Sequence, residues 1–259
     1  MDLKLDRKIA LITASTNGIG KAVAEMFLEE GATVIINGRN YDRLKIIENT
    51  LSEKYGKERI FSVFGDASDS KTIADIVYFI DNHWGKIDIL IPCVGTGKPE
   101  TEDKLDENEW NRIFNINLLC NVKLIKSCLP LLQKANAPAI TLISSVVSLS
   151  RASAPYSYAA AKSAILSLNS YLAGDFAKVG IRSNCVVPGN VFFHGGRWEE
   201  LRKQNPMETD YYIKNNVPMA RFGLPEEIAN AIVFLSSERA SFINGAVLTV
   251  DGGQNRSLK

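Results

Sequence analysis

Short apolar runs recur along the chain, separated by longer stretches in which apolar residues repeat with helical spacing. Within the runs, apolar and polar residues do not alternate, which is typical of strands that are buried on both faces. The runs predict strands at 9–12, 33–36, 60–64, 87–91, 139–143, 182–187 and 246–250. The stretches between them predict helices near 18–30, 41–55, 69–83, 107–134 and 225–236, and a helix that contains Tyr158 and ends near Lys178.

Strands and helices alternate strictly in this prediction. Such an order is typical of parallel strands joined by right-handed crossovers, with helices on both faces of the sheet. No stretch rich in Pro, Gly and Ser interrupts the alternation, and no segment has low complexity. We therefore expect residues 1–259 to form a single α/β domain with a doubly wound parallel sheet.

The composition excludes several classes of protein. With 46% hydrophobic residues, 23% charged residues and a net charge of +1, the 259-residue chain has no overall field that would favour nucleic acid or an anionic membrane. Its charged N-terminus is unlike a secretory signal, and no apolar run approaches the ~20 residues that cross a bilayer. The 4 cysteines (Cys93, Cys120, Cys128 and Cys185) form no CxxC pair, which predicts reduced thiols in a cytoplasmic protein. Both histidines are isolated, so the sequence indicates no metal site.

Tyr158 and Lys162 are four residues apart, so a helix places both on one face. A free tyrosine loses its proton near pH ~10, and a nearby lysine cation is expected to lower that pKa. Such a tyrosine suits general acid–base catalysis near neutral pH. Ser145 lies at the carboxyl end of the predicted strand 139–143, where open α/β sheets bind ligands. Its hydroxyl is placed to hydrogen-bond a substrate oxygen.

Gly18-Ile19-Gly20 separates the first predicted strand from its helix. A glycine-rich turn there lets backbone N–H groups approach a pyrophosphate. After the second strand, an acidic residue would hold the ribose 2′-hydroxyl of NAD, but this chain has Asn37-Gly38-Arg39-Asn40. The fork of donors on Arg39 suits a 2′-phosphate, so the sequence favours NADP(H) over NAD(H). Asp66, after the third strand, is placed to accept from the adenine amino group.

Together these motifs resemble those of the short-chain dehydrogenase/reductase family, over essentially the whole chain. The resemblance rests on Thr13, Gly18-Ile19-Gly20, Asp66, Asn117, Ser145, Tyr158, Lys162, Pro188-Gly189 and Asp251-Gly252-Gly253, in the family's order and spacing. It implies a seven-stranded parallel sheet of Rossmann type and hydride transfer between a nicotinamide and a carbonyl or alcohol carbon. It also implies a homotetramer paired through the 107–134 helix and the Tyr158 helix, with a dimer as the alternative.

The resemblance also implies roles for individual residues. Ser145 would hold and polarise the substrate oxygen, and Tyr158 would exchange a proton with it. Lys162 would bind the nicotinamide ribose and stabilise the tyrosinate, while Asn117 would anchor a water that relays protons to Lys162. The expected cofactor contacts are Thr13, Ser15, Thr16, Asn17, Gly18, Ile19, Gly20, Arg39, Asn40, Asp66, Ala67, Cys93, Val94, Gly95, Tyr158, Lys162, Pro188, Gly189 and Val191.

Three positions depart from the family pattern. Ala14 replaces a glycine, which we expect to be harmless provided that its φ is negative. Pro92-Cys93-Val94-Gly95 replaces Asn-Asn-Ala-Gly, so the stabilising role of the asparagine must be met otherwise. Gly95 still permits close approach to the cofactor. Phe193 stands where a threonine often bonds the nicotinamide carboxamide, so that either the backbone alone holds the carboxamide or Phe193 caps the ring.

Residues 192–216 are expected to carry most of the substrate specificity and predict a mobile lid with glycine hinges. The candidate substrate contacts are Ser145, Phe193, His194 and Trp198. The aromatic residues of this stretch favour a bulky or apolar carbonyl compound, whereas its basic residues favour an anionic substrate or carrier. A surface helix whose aromatic residues pack on the core would have the same pattern.

The sequence therefore predicts an NADP(H)-dependent oxidoreductase acting on a ketone, aldehyde or secondary alcohol. One alternative is a 3-oxoacyl-carrier-protein reductase, whose basic docking patch would have to come from Lys126, Lys134, Lys178 and Arg182. A sugar or polyol dehydrogenase is another. A non-catalytic NADP(H)-binding regulatory protein is an alternative of a different class. The departures at Pro92 and Phe193 favour it, and the intact residues Ser145, Tyr158, Lys162 and Asn117 oppose it.

Overall fold

The apolar runs pair into one seven-stranded sheet in the computed structural model, which describes residues 1–151 and 154–255. The strands are β1 (Ile9–Ile12), β2 (Thr33–Gly38), β3 (Ile60–Phe64), β4 (Ile89–Ile91), β5 (Ala139–Ile143), β6 (Arg182–Pro188) and β7 (Val247–Val250). Their order is β3-β2-β1-β4-β5-β6-β7, and neighbouring strands are parallel throughout these ranges. The order reverses between β1 and β4, and this is where open α/β sheets bind ligands at the strand carboxyl ends.

Helices cover both faces of the sheet, which confirms the predicted doubly wound architecture. They are α1 (Gly18–Glu29), α2 (Tyr41–Tyr55), α3 (Ser70–Trp84), α4 (Glu107–Phe114), α5 (Cys120–Leu132), α6 (Tyr156–Phe176), α7 (Arg197–Gln204), α8 (Pro206–Asn216) and α9 (Pro225–Ser236), with 3₁₀ turns at Val146–Ser148, Ala177–Val179 and Glu238–Ala240. One apolar core holds α1, α2 and α9 on one face, and a second core holds α3, α5 and α6 on the other. Within the first core α1 packs against α9, where Phe27 and Ile232 are fully buried.

The long helix predicted over 107–134 is interrupted by a π-helical turn, Asn115–Leu119, between α4 and α5. A π turn closes with an i→i+5 hydrogen bond and so takes up one extra residue. Here the bond runs from the N–H of Cys120 to the carbonyl oxygen of Asn115. The extra residue rotates the helix surface after the turn relative to the surface before it, and Asn117 lies inside that turn.

Burial raises the pKa of the Cys93, Cys128 and Cys185 thiols to about 12 and that of Cys120 to about 11, so all four stay protonated at neutral pH. Over the described ranges, no three His, Cys, Asp or Glu side chains are grouped to bind a metal ion. None of the helices in those ranges has the length and apolar character needed to cross a membrane.

Candidate active site

The structure brings Ser145, Tyr158 and Lys162 together beyond the end of β5. Ser145 has an extended backbone and hydrogen-bonds the side chain of Tyr158 in the first turn of α6. Lys162 follows one turn later and is only 6% exposed. Its Nζ donates to the carbonyl oxygen of Ile143 at 3.0 Å and lies 5.8 Å from the centre of the Tyr158 ring. The helical spacing thus places the phenol and the ammonium side by side.

Hydrogen bonds to the end of β5 hold α6 in this position. Ser144 Oγ donates to the carbonyl oxygen of Lys162 at 2.7 Å and lies 3.0 Å from Ser148 Oγ, which donates to the carbonyl oxygen of Ser145 at 2.6 Å. Ser163 Oγ donates to the carbonyl oxygen of Ser148 at 3.3 Å. The serine-rich segment after β5 therefore fixes the helix that carries Tyr158 and Lys162.

Burial sets the proton affinity of both side chains. It lowers the pKa of the Lys162 ammonium to about 8, because desolvation disfavours the charged form. It raises the pKa of the Tyr158 phenol, and the hydrogen bond with Ser145 lowers that pKa by a smaller amount. The expectation that Lys162 lowers the pKa of Tyr158 is therefore wrong for the protein groups alone. Desolvation is the largest effect, and it acts in the opposite direction.

Asn117 is fully buried and holds the loop that follows β4. Its Oδ1 accepts from the N–H of Thr96, and its Nδ2 donates to the carbonyl oxygens of Thr96 and Ile113, each at 3.0 Å. A Cβ on Gly95 would lie 2.8 Å from Asn117 Oδ1 and 3.3 Å from Lys162 Nζ. The Asn117 side chain thus positions this loop beside Lys162, and its predicted water relay stays a prediction.

The same loop also forms a wall against Tyr158. A Cβ on Gly97 would lie 3.4 Å from the Tyr158 ring. Arg112 of α4 donates to the carbonyl oxygen of Lys98 at 3.0 Å, and Glu109 holds the guanidinium with contacts of 2.7 and 2.8 Å. The loop is therefore fixed at both of its ends by α4 and the π turn.

The hydroxyls of Thr13 and Ser15 are used inside the protein. Ser15 Oγ donates to the carbonyl oxygen of Ile12 at 2.7 Å and accepts from the N–H of Asn37 at 2.9 Å. Thr13 Oγ1 accepts from the N–H of Cys93 at 3.1 Å. The Thr13–Cys93 bond ties the loop after β4 to β1 through a backbone donor that Pro92 does not remove.

Ala14 lies in the left-handed region with a φ of +49°. The condition under which Ala14 was expected to be harmless is therefore not met, and this conformation costs an L-residue about 1–2 kcal/mol. The turn is also tightly packed, because a Cβ on Gly20 would lie 2.6 Å from the carbonyl oxygen of Ala14. Thr16 closes the other side, where a Cβ on Gly38 would lie 2.5 Å from its methyl group.

The start of α1 contacts the segment after β6. Asn17 caps the helix by accepting from the N–H of Gly18 at 2.9 Å, and its Nδ2 donates to the carbonyl oxygen of His194 at 2.8 Å. Gly18 has a φ of +53°, and a Cβ there would lie 2.8 Å from the Phe193 ring. Phe193 therefore contacts the glycine turn. The His194 side chain is 94% exposed and pairs with Glu199 at 2.8 Å.

At the far end of the sheet edge, Arg39 and Asp66 lie side by side. Arg39 follows β2, its side chain is 82% exposed, and its Nη1 is 3.8 Å from Asp66 Oδ2. Asp66 Oδ1 accepts from the N–H and the hydroxyl of Ser68 at 2.9 and 2.8 Å. Asn40 caps α2 by accepting from the N–H of Arg43 at 2.9 Å, and Ala67 is buried.

The remaining predicted cofactor contacts lie along the same edge. Ile19 and Val94 are partly buried and pack against the two apolar cores. Gly189, directly after Pro188, approaches the C-terminal segment so closely that a Cβ would lie 2.8 Å from Asp251 Cα. Val191 forms an isolated parallel β-bridge with Gly223.

A cleft of about 1460 Å³ opens beside Ser145 and Tyr158. Arg197, Trp198 and Tyr212, from α7 and α8, line one side of it. Trp198 stacks on Tyr212 with ring centres 5.5 Å apart. Of the candidate substrate contacts, the structure places Ser145 and Trp198 in the cleft, whereas the described lining includes neither Phe193 nor His194.

Asn190 and Gln254 also line the cleft and were missed by the sequence analysis. Asn190 Nδ2 and Gln254 Oε1 are buried and have no hydrogen-bond partner among the residues described. Each residue directly follows a recognised motif, Pro188-Gly189 or Asp251-Gly252-Gly253. Their position directly after those motifs is the feature of the sequence that could have identified them as site residues.

Comparison with known proteins agrees with this geometry. The family model described as Enoyl-(Acyl carrier protein) reductase matches residues 13–255. The uncharacterized oxidoreductase YvrD of Bacillus subtilis (strain 168) is 35% identical over 269 aligned residues, which cover 100% of both chains. The 3-oxoacyl-[acyl-carrier-protein] reductase FabG of Chlamydia trachomatis serovar D is 32% identical over 249 residues, covering 96% of this chain and 98% of that relative. The crystal structure of L-sorbose reductase from Gluconobacter frateurii, complexed with NADPH and L-sorbose, is 32% identical with a TM-score of 0.91 and covers 100% of both chains.

These matches span the glycine turn after β1, the Ser145–Tyr158–Lys162 group and the Asp251-Gly252-Gly253 motif. The non-catalytic alternative is set aside, because the relatives that the chain matches over 98–100% of their length are oxidoreductases. The chain belongs to the short-chain dehydrogenase/reductase family and is a nicotinamide-dependent oxidoreductase that acts on CH–OH groups.

Proposed function

We propose that this protein uses NADP(H) to interconvert a ketone or aldehyde and the corresponding alcohol, with Tyr158 as the acid and base. The observation that carries the proposal is the group formed by Ser145, Tyr158 and Lys162 at the cleft. A phenol that hydrogen-bonds a serine, beside an ammonium whose pKa is about 8, is suited to passing a proton to and from a substrate oxygen.

In the proposed reaction, the Ser145 hydroxyl and the Tyr158 phenol hydrogen-bond the same substrate oxygen. Two donors at one oxygen orient the carbonyl and stabilise the negative charge that develops on it during reduction. Tyr158 gives its proton to that oxygen in reduction and takes one from it in oxidation. As a neighbouring cation, Lys162 offsets part of the desolvation cost of the tyrosinate when that charge forms, and Asn117 anchors a water that returns protons to Lys162. The bound nicotinamide supplies or accepts the hydride.

Residues along the sheet edge fit a dinucleotide. α1 begins at Gly18, and a helix N-terminus favours a phosphate group. Gly95 leaves open the space that a Cβ would fill between Asn117 and Lys162, where a flat ring can approach the backbone. At the far end, the guanidinium of Arg39 is exposed, and its long, 3.8 Å ion pair with Asp66 can be exchanged for contacts with a 2′-phosphate. The NADPH in the L-sorbose reductase complex further supports this assignment.

Turnover of a carbonyl panel tests the proposal. We expect NADPH consumption with at least one ketone or aldehyde, and a loss of at least about 100-fold in kcat for Tyr158→Phe with NADPH binding retained. Tyr78→Phe is the matched control, because Tyr78 lies on α3, does not line the cleft and is 73% exposed. The proposal fails when wild type turns over no member of the panel, or when Tyr158→Phe is as active as wild type.

We further propose that residues 192–216 act as a lid on a single domain that spans 1–259. Support comes from α7 and α8, which line the cleft, and from the ion pair between Lys98 and Glu200 at 3.1 Å, which links α7 to the loop after β4. Slower proteolysis within this stretch on adding NADPH and substrate is the expected result. Cleavage at an unchanged rate would argue against a lid.

A homotetramer in the cytoplasm is also proposed. Two exposed apolar regions support two interfaces: Leu119, Val122 and Tyr171 lie on or beside α5 and α6, and Phe242 and Leu248 lie at the β7 edge. Light scattering coupled to size exclusion is expected to return the mass of four chains. A monomer would contradict both interfaces, and a dimer would leave only one of them.

A further inference from the structure

Two buried amide groups in the cleft have no partner. Asn190 Nδ2 and Gln254 Oε1 are shielded from solvent and make no hydrogen bond within residues 1–151 and 154–255. Both residues line the cleft that contains Ser145 and Tyr158, and Asn190 also lines a smaller neighbouring pocket beside Gly223. Buried polar groups in native proteins are nearly always bonded, because leaving water without a new partner costs free energy. This pair therefore marks a place where a ligand is expected to supply the missing bonds.

The backbone fixes both residues in the cleft wall. The carbonyl oxygen of Asn190 accepts from the N–H of Gly223 at 2.9 Å, and the N–H of Gln254 donates to the carbonyl oxygen of Asp251 at 3.2 Å. The segments that carry the two amides are in contact, since a Cβ on Gly189 would lie 2.8 Å from Asp251 Cα. The two amides thus belong to one fixed region of the wall.

Other amides in the same cleft are satisfied by the protein. Asn215 Nδ2 donates to the carbonyl oxygen of Tyr211 at 2.7 Å, and Asn216 Nδ2 donates to that of Tyr212 at 2.9 Å. Both of these asparagines also line the cleft. The lack of a partner is therefore particular to Asn190 and Gln254 and is not a general property of this surface.

We propose that Asn190 and Gln254 select substrates that carry a hydroxyl group beside the reacting carbonyl, as in hydroxy ketones, ketoses and their polyols. A hydroxyl offers one donor and two acceptor lone pairs, so it can accept from an amide N–H and donate to an amide oxygen. The acyl chain of a 3-oxoacyl thioester has no donor for Gln254 Oε1. The inference rests on the proposed function, because Ser145 and Tyr158 must hold the reacting oxygen nearby.

The test compares hydroxyacetone with acetone as a matched pair, together with an acetoacetyl thioester, all with NADPH. Wild type is expected to prefer hydroxyacetone. Asn190→Leu and Gln254→Met, which keep the side-chain size, are each expected to lower the ratio of kcat/KM for hydroxyacetone over acetone by about tenfold. Asn215→Leu is the control, because its amide is already bonded to backbone, and its ratio is expected to match wild type.

The outcomes separate this inference from the proposed function. Reduction of acetone or the thioester as efficiently as hydroxyacetone, or an unchanged ratio in both variants, overturns the inference and leaves the proposed function in place. Absence of turnover for every carbonyl compound overturns both. Unfolding provides an independent readout, since an isosteric apolar side chain in place of an unpartnered amide is expected to keep or raise the Tm. A clear fall in Tm for both variants would mean that the protein itself satisfies these amides, and would also overturn the inference.

Discussion

The two ends of the sheet edge are built in opposite ways. At the catalytic end, Lys162 and Asn117 are buried and hydrogen-bond backbone carbonyl groups, and burial shifts the pKa of Lys162 to about 8. At the adenosine end, Arg39 is 82% exposed, and its ion pair with Asp66 is long, at 3.8 Å. One end is fixed by many contacts, and the other depends on a single side chain in solvent.

This difference follows from the task of each end. Proton exchange needs fixed distances and shifted pKa values, and burial supplies both while lowering stability. Discrimination of a phosphate needs only charge and reach, which an arginine in water offers at little cost to the fold. Substitutions at the catalytic end should therefore change activity and stability together, whereas a substitution at the adenosine end should change cofactor choice alone.

Lys162→Met is expected to have the largest effect, lowering kcat by at least about 100-fold while stabilising the fold at neutral pH. The folded pKa of about 8 lies below the ordinary 10.5, so below pH 8 the native protein holds a buried cation at a cost. That cost is relieved as the pH rises from 8 to 10.5. Allowing for the lost bond to Ile143, the free energy of unfolding at pH 7 should rise by about 1–2 kcal/mol.

Urea unfolding of Lys162→Met and wild type between pH 7 and 10.5 checks this sign. The gain should stay constant up to about pH 8 and then shrink as the pH rises to 10.5, because folded wild type becomes neutral at Lys162 in that range. Lys178→Met, at an exposed lysine just after α6, should change neither stability nor its pH dependence. A loss of stability at pH 7 would show that the contacts of the Lys162 ammonium stabilise the fold by more than its desolvation costs.

Gly95→Ala should lower both activity and stability, by about 1–3 kcal/mol in the free energy of unfolding. The new methyl group would lie 2.8 Å from Asn117 Oδ1, so the loop after β4 has to shift. Gly174→Ala in α6 is the matched control, because a Cβ there meets nothing within 4 Å. It should stabilise the helix by up to about 1 kcal/mol. Equal unfolding midpoints for the two variants would contradict the close packing at Gly95.

Arg39→Ala should raise the Kd for NADPH about tenfold and leave the Kd for NADH unchanged. The loss is modest because the arginine is in solvent, where charge-assisted bonds are screened. Fluorescence titration with each cofactor measures the effect, and Arg7→Ala, at an arginine that is 92% exposed, controls for loss of one positive charge. An equal rise in the Kd values for NADPH and NADH would show that Arg39 does not contact the 2′-phosphate.

Ala14→Gly should have the smallest effect, a gain of about 0.5–1 kcal/mol in the free energy of unfolding. Glycine relieves the left-handed strain at φ +49° but loses more chain entropy on folding, so the two effects partly cancel. Ala74→Gly, at an exposed position inside α3, should instead destabilise by about 1 kcal/mol. In thermal unfolding, a Tm below that of wild type for both variants would contradict the strain at Ala14.

Much of the fold is legible in the sequence because parallel strands buried on both faces leave uninterrupted apolar runs. All seven strands lie where those runs predicted them, as with Ala139–Ile143. The π turn at Asn115–Leu119 was not predicted, because one extra residue hardly disturbs helical periodicity over a long helix. The φ of Ala14 was also missed, since the residue type alone does not reveal a left-handed turn.

The catalytic group could be predicted from the sequence because residue spacing determines which of its side chains are neighbours. Tyr158 and Lys162 are neighbours because helical geometry makes them so, and Ser145 joins them because β5 ends beside α6. The direction of the Tyr158 pKa shift was wrong, because desolvation depends on the surrounding atoms. Asn190 and Gln254 were missed for a similar reason: whether an amide has a partner is a property of packing, and neighbours in sequence do not reveal it.

The packing of α1 against α9 has a consequence for how the chain is made. The helix that opens at Gly18 is secured by Ile228, Ile232 and Val233, which the ribosome adds some two hundred residues later. Until those residues emerge, one face of α1 has no cover and the nucleotide turn has no rigid support. Assembly of this enzyme during synthesis is therefore expected to finish late, with the first motif of the sequence among the last to become competent to bind.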